Sequence, residues 1–415
     1  MLRALISFLL LFSFSFAITR NQVIKLAEER ASKIKLSKKD LQFVEAQIKE
    51  VMSNVYPHLE INGIYSRYDP NYITGFSLKN QYKASISLKQ TIFDKSVFES
   101  IKIAKLNRKL QKLILKQVKN EVVYTALTLY EDILYKKEIL KIKQETLNYW
   151  KKQLEFTKES YKQGLINKFE YLRTKAQYEN AKSEVELAKI NYEKSLINLE
   201  KFLLLDKKLD TTEKFSIFKE DIPPENSLKN NPNLKVILEN AKIKQKEASF
   251  YTASLYPKLK FKASYEFYNT RDFPSLDETI RKGYVLSLSL NWQFFDGLNS
   301  KSKAMQSKIS SAKEKIKYEE KLKNLEKDYK TAILDIKASK IQLKSVDENI
   351  KALQEALRLA TQRYKYKVGS IIEVLEAQKN LEEAYINKLN IIYKHNIAVL
   401  TVKKLIGEFA KWIYF

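Results

Sequence analysis

Side chains able to carry out chemistry are sparse in this chain. It has no cysteine and only two histidines, His58 and His395. Disulfides, thiolate metal sites and thiol nucleophiles are excluded, and two distant histidines leave little for a metal centre or a Ser-His-Asp triad. The seven glycines form neither a phosphate-cradling loop nor a nucleophile elbow. One pair stands out. Glu373 and Glu376 are three residues apart, so on a helix they share a face. Two carboxylates can act as acid and base in glycoside hydrolysis, but one turn of a long helix offers a sugar no pocket. On spacing alone they read as two surface glutamates. No enzyme, cofactor or metal is expected.

The elements that must position such residues are few and long. The 415 residues include only seven glycines and seven prolines, whereas compact multidomain chains need many turns built from those residues. Leu, Lys, Glu, Ile, Ala and Gln dominate outside the aromatic regions, a composition typical of long helices and coiled coils. The net charge is +26, but the lysines are mixed with glutamates along every helix. Solvated helix faces account for this more simply than nucleic acid does. Arg3, the apolar run Ala4 to Phe16 and the small residue Ala17 predict a secretory signal over residues 1–17. The run is too short for a membrane anchor of about 20 residues.

The chain repeats itself. Tyr56-Pro57-His58-Leu59 returns as Tyr256-Pro257-Lys258-Leu259, and Ile92-Phe93-Asp94 as Phe294-Phe295-Asp296. By its letters, Tyr161-Lys162-Gln163-Gly164 returns as Tyr366-Lys367-Val368-Gly369. The sequence therefore divides into a first copy over 18–205, a linker over 206–230, a second copy over 231–406 and a tail over 407–415.

Each copy reads as helix, two strands, a long helix and a second helix. Leu259, Phe261, Ala263, Tyr265 and Phe267 alternate with polar residues, as do Tyr284 to Phe294 and Tyr82 to Leu88, which is a period of two. The predicted strands cover about 57–68, 81–93, 257–268 and 283–295. The predicted long helices cover about 95–160 and 300–365, and their return helices 169–202 and 371–406. At 1.5 Å per residue each long helix could extend about 100 Å. From Leu322 to Tyr364 apolar residues recur in alternating steps of three and four, and Ser339 is the one polar exception. That is a coiled-coil seam of about six heptads. Gly164 and Gly369 mark the expected hairpin turns.

Strands of about ten residues with aromatics near their ends suit a membrane barrel. Four strands cannot close one, and open edges would leave backbone groups unpaired in lipid. The chain must therefore share a barrel with other copies. At this point it resembles the TolC family of outer-membrane efflux proteins. The duplication, the Tyr-Pro-x-Leu lead-ins, the Phe-Asp exits and the segment Tyr366 to Gln378 together carry the resemblance. It implies a mainly α fold with a small membrane β-barrel. Three chains would complete twelve strands above a coiled-coil α-barrel tunnel reaching into the periplasm. It also implies an exit channel of a tripartite efflux or type I secretion system. Its partners would be a periplasmic adaptor, an inner-membrane pump of resistance-nodulation-division or ABC type, and outer-membrane lipid.

The family's carboxylate ring at the tunnel entrance falls on Glu373 and Glu376, and its tunnel-closing contact on Tyr366 and Glu170. From Gly369 to Leu375 is six residues, against eight from Gly164 to Leu172. The second turn is therefore expected to be shorter, with the height of Glu373 and the pairing of Tyr366 left open. A periplasmic adaptor or a structural coiled-coil protein remains the alternative, although adaptors usually carry one long hairpin rather than two full copies.

Overall fold

A computed structural model gives the fold for residues 16–73, 77–206, 209–271, 277–407 and 409; of Phe16, Ala17 and Tyr72 only the backbone is described. The signal segment up to residue 15 and the aromatic tail from residue 411 lie outside the described residues. In chain order the elements are β1 (Phe16–Ile18), α1 (Arg20–Arg30), α2 (Ser32–Ser53), β2 (His58–Arg67), β3 (Asn80–Phe93), α3 (Lys95–Lys162) and α4 (Lys168–Leu203). They continue with β4 (Leu209–Thr211), α5 (Pro232–Ala253), β5 (Lys258–Arg271), β6 (Glu278–Asn291), α6 (Asn299–Lys365) and α7 (Ile371–Ile406). The chain forms two compact units, one of residues 37–115 and 233–320 and the other of 1–36, 116–232 and 321–415.

The first unit holds a four-stranded antiparallel sheet in the order β2-β3-β5-β6, so the two copies meet at its centre, between β3 and β5. Its period of two sorts the side chains. Leu259, Phe261 and Tyr265 share a face, with Leu290, Leu288 and Tyr284 opposite them on β6. Lys258, Lys260, Lys262 and Ser264 point to the other face. On β3, Ile86 and Leu88 join the apolar side while Ser85, Ser87 and Lys89 join the polar one. The apolar face is bare: Ile61 is 82% exposed and Tyr284 75%. β6 differs from its predicted range. It starts at Glu278, held by the pairing of Glu278 with Arg271, and ends at Asn291. Beyond it the Trp292 indole Nε1 donates to the Leu255 carbonyl at 3.0 Å, which takes that residue out of the ladder.

In the second unit the seam read from Leu322 to Tyr364 is buried or half-buried throughout, with Ile336 the most enclosed. Ser339, its polar member, turns its hydroxyl onto the Asp335 carbonyl at 2.6 Å. Such back-bonding satisfies a hydroxyl that a coiled-coil core would otherwise strand. The seam packs on α7, where Leu381, Ala384 and Ile391 meet Val346 and Ile350. Nearer the turn, Ile371 and Val374 meet Ala360 and Tyr364. β1 and β4 pair in parallel, Ile18 opposite Thr211, a short sheet that the sequence does not reveal.

Beside that sheet lies a buried polar network. Arg20 Nε reaches Glu131 Oε1 at 2.6 Å and its Nη1 reaches Glu213 Oε2 at 2.5 Å. Asn396 Nδ2 donates to Glu131 Oε2 at 3.0 Å and to the Ser216 carbonyl at 2.9 Å, while its Oδ1 accepts from Phe218 N–H. Glu131 is fully enclosed. A buried carboxylate is tolerable only when its oxygens are paired, and here both are. The network ties the N-terminal segment, α3, the linker and α7 to one another.

Candidate functional site

The sequence-predicted site residues all fall at two helical hairpins of the second unit, α3 to α4 and α6 to α7. Position by position the hairpins are alike. α3 ends at Lys162 and α6 at Lys365; α4 begins at Lys168 and α7 at Ile371. Each turn is therefore five residues long, and the expectation of a shorter second turn is corrected. The equivalence runs at an offset of 203, not the 205 of the Tyr-x-x-Gly letters. Leu165 N–H donates to the Ser160 carbonyl at 2.8 Å, and Val368 N–H to the Arg363 carbonyl at 3.0 Å. Both are the long bond of a Schellman turn, which needs a left-handed residue just before its donor. That residue is Gly164 at φ +69° in the first hairpin and Lys367 at φ +61° in the second.

Gly369 therefore has a different task from Gly164. A Cβ at Gly369 would sit 2.9 Å from Arg363 Cβ and 3.2 Å from Glu373 Oε2, whereas one at Gly164 would meet nothing. Handedness selects the first glycine, and space selects the second. Each return helix then opens on a cap. Asn167 Oδ1 accepts from Glu170 N–H at 2.9 Å, and Ser370 Oγ from Glu373 N–H at 3.3 Å. Such caps satisfy N–H groups that a helix start leaves open.

The tyrosine that meets Glu170 is Tyr364, not Tyr366. Its Oη donates to Glu170 Oε2 at 3.0 Å, and its ring stands edge-on to Phe156 at 6.3 Å between centroids. Tyr366 is 80% exposed. The cause is helical phase: Tyr364 is the last residue of the apolar seam, and Tyr366 lies past the end of α6 at Lys365. Burial first, and then the hydrogen bond to the Glu170 carboxylate, push the Tyr364 phenol above the usual tyrosine value. It therefore stays a donor at any neutral pH.

Glu373 and Glu376 stand on the first turns of α7, both exposed. Glu373 is engaged. Its Oε1 accepts from Ser370 N–H at 3.4 Å, closing a capping box, and Arg363 Nε lies 3.4 Å from its Oε2. Sequence reasoning missed Arg363 as a partner. Arg363 lies ten residues before Glu373 and shares no helix with it; only the hairpin brings them together. Among the described residues no group of His, Cys, Asp and Glu is arranged to hold a metal. His395 is buried, with Nε2 3.3 Å from the Phe218 carbonyl, and burial lowers its pKa.

A four-stranded sheet with two open edges and a bare apolar face, together with long paired helices, fits an outer-membrane channel better than an adaptor. The sequence profile described as outer membrane efflux protein matches residues 23–203 and 224–408, which together make up most of the chain. The protein belongs to that family; it is an outer-membrane efflux channel whose helical part extends into the periplasm. No curated protein matches it by sequence. Among solved structures it is similar to the channel CusC at a TM-score of 0.81 and 15% identity, over 95% of this chain and 93% of that one. It is also similar to the CmeC outer membrane channel of Campylobacter jejuni (0.80, 18%, 94% and 85%). The MtrE outer membrane channel of Neisseria gonorrhoeae, solved in its open state, matches at 0.79 and 17%, over 94% and 88%.

Proposed function

We propose that three copies of this chain join edge to edge into a twelve-stranded barrel and that their long helices enclose a tunnel. The observation that carries this reading is the sheet itself. β2 and β6 are open edges, and Leu59, Ile61, Leu286, Leu288 and Leu290 lie exposed on one face. In lipid, an unpaired edge costs several kcal/mol for each unsatisfied backbone group. Pairing β6 of one copy with β2 of the next removes every edge, and the apolar face then meets lipid. The channel would pass solutes delivered by an inner-membrane pump, of resistance-nodulation-division or ABC type, through a periplasmic adaptor.

The hairpins would lie at the periplasmic mouth. There Glu373 and Glu376 from three copies form a carboxylate ring, which favours cations and repels anions. The bond between Tyr364 and Glu170 fastens the second hairpin to the first and helps hold the mouth shut. The test of the assembly is the mass of the protein extracted in mild detergent, by light scattering with detergent subtracted. A trimer that precipitates without detergent is expected. A monomer soluble in buffer would remove the barrel and leave the adaptor reading in its place.

A further inference from the structure

The polar face of the sheet is unevenly charged. Among the described strand residues it carries six basic side chains but only two acidic ones, Glu60 and Glu266. Both acids are taken, Glu60 by Lys89 at 2.5 Å and Glu266 by Lys83 at 3.2 Å. Lys258 is held by Asp94, just beyond the strand, at 3.3 Å. Lys260 and Lys262 are exposed and form no ion pair among the described residues. The register concentrates these groups. His58 stands opposite Lys89, and Lys89 opposite Lys262, so one row across three strands is basic or titratable throughout. Lys258 and Lys260 follow on β5, at the strand end nearest the helices, and the three β5 lysines span about 14 Å.

Like charges directly across a ladder are destabilising. A neutral alternative exists on the next strand, where Ser287, Ser289 and Asn291 occupy the same face opposite Lys262, Lys260 and Lys258. A costly arrangement kept beside a cheaper one calls for a use. The apolar face must meet lipid, so the polar face lines the lumen. We propose that Lys89, Lys258, Lys260 and Lys262 form a basic belt inside the barrel that favours anionic solutes, such as phosphorylated or polycarboxylated small molecules. This inference rests on the trimeric barrel, which would bring the belt together from all three chains. Rings of lysine act on anions as rings of carboxylate act on cations, and low-dielectric walls strengthen the effect. The belt is opposite in sign to the proposed carboxylate ring of Glu373 and Glu376.

The experiment uses the full-length protein in planar bilayers, reading the reversal potential under a KCl gradient and the block by added pyrophosphate. The Lys260→Gln, Lys262→Gln pair should lower the anion-to-cation permeability ratio about threefold and raise the blocking concentration about tenfold. The Lys260→Glu, Lys262→Glu pair should shift both further. The Gln pair keeps a flexible polar side chain without the charge, so it reports charge even if the Lys260→Glu, Lys262→Glu pair does not assemble. A wild-type channel that conducts, with both readings unchanged in the Gln pair, would overturn the belt and leave the barrel standing. A wild-type protein that neither forms a trimer nor conducts would overturn the barrel, and the belt with it.

Discussion

The two hairpins are one backbone serving two chemistries. Both turns have five residues, a left-handed residue before the Schellman donor, and a polar cap whose third helical residue is glutamate. What differs is where each glutamate finds its partner. Glu170 receives the buried Tyr364 hydroxyl from the other copy's long helix, whereas Glu373 is held within its own hairpin by Ser370 and Arg363. The equivalents of the tyrosines diverge in the same way. Tyr364 sits in the seam, while Tyr161, its counterpart, stacks on Tyr171 with centroids 5.5 Å apart. Duplication thus conserved turn length and freed the side chains, so that one hairpin makes the contact between copies and the other presents charge.

That contrast can be broken in stages. The largest effect is expected from Tyr364→Phe, which leaves Glu170 without its donor. Bilayer conductance should rise several-fold, whereas Tyr366→Phe should leave it at the wild-type value; equal effects would erase the distinction. The phenol's raised pKa sets the sign with pH. The contact's tyrosine side is intact below its ordinary value of about 10 and is lost only as pH rises beyond that. Conductance between pH 7 and 9 should therefore show no opening attributable to Tyr364. Next, Glu373→Ala with Glu376→Ala should weaken cation preference and block by multivalent cations, and unchanged selectivity would count against the ring.

Smaller effects belong to the turns. Gly369→Ala should lower thermal stability by about 1–3 kcal/mol, because the new methyl meets Arg363, while Gly164→Ala should cost about 1 kcal/mol through backbone handedness alone. Lys367→Gly should do the opposite and stabilise by about 1 kcal/mol, since it relieves a left-handed lysine. Should Lys367→Gly destabilise, the proposed equivalence of Lys367 with Gly164 is wrong.

The long elements were legible because their periods are sustained. A three-four alternation over six heptads, or a two-residue alternation over ten positions, outweighs local noise. The hairpin equivalence was not, because the letters Tyr-x-x-Gly occur at the wrong offset and a lysine occupies the left-handed position that a reader expects glycine to fill. The signal was present in the caps. Asn167 with Glu170, and Ser370 with Glu373, give the offset of 203 directly. The β1 and β4 strands are three residues each, too short to show any period. The Glu131 network was hidden for another reason: its members are scattered from Arg20 to Asn396, and only packing brings them together.

The sheet's two open edges also bear on inheritance. In the proposed trimer, a chain that closes a barrel only by borrowing its neighbours' strands would make every channel a committee of three. If a cell made normal and edge-defective copies in equal amounts, random assembly would leave only about one channel in eight fully normal. A lesion in β2 or β6 would therefore behave as dominant, while one that keeps the chain from reaching assembly would be masked by the intact copy.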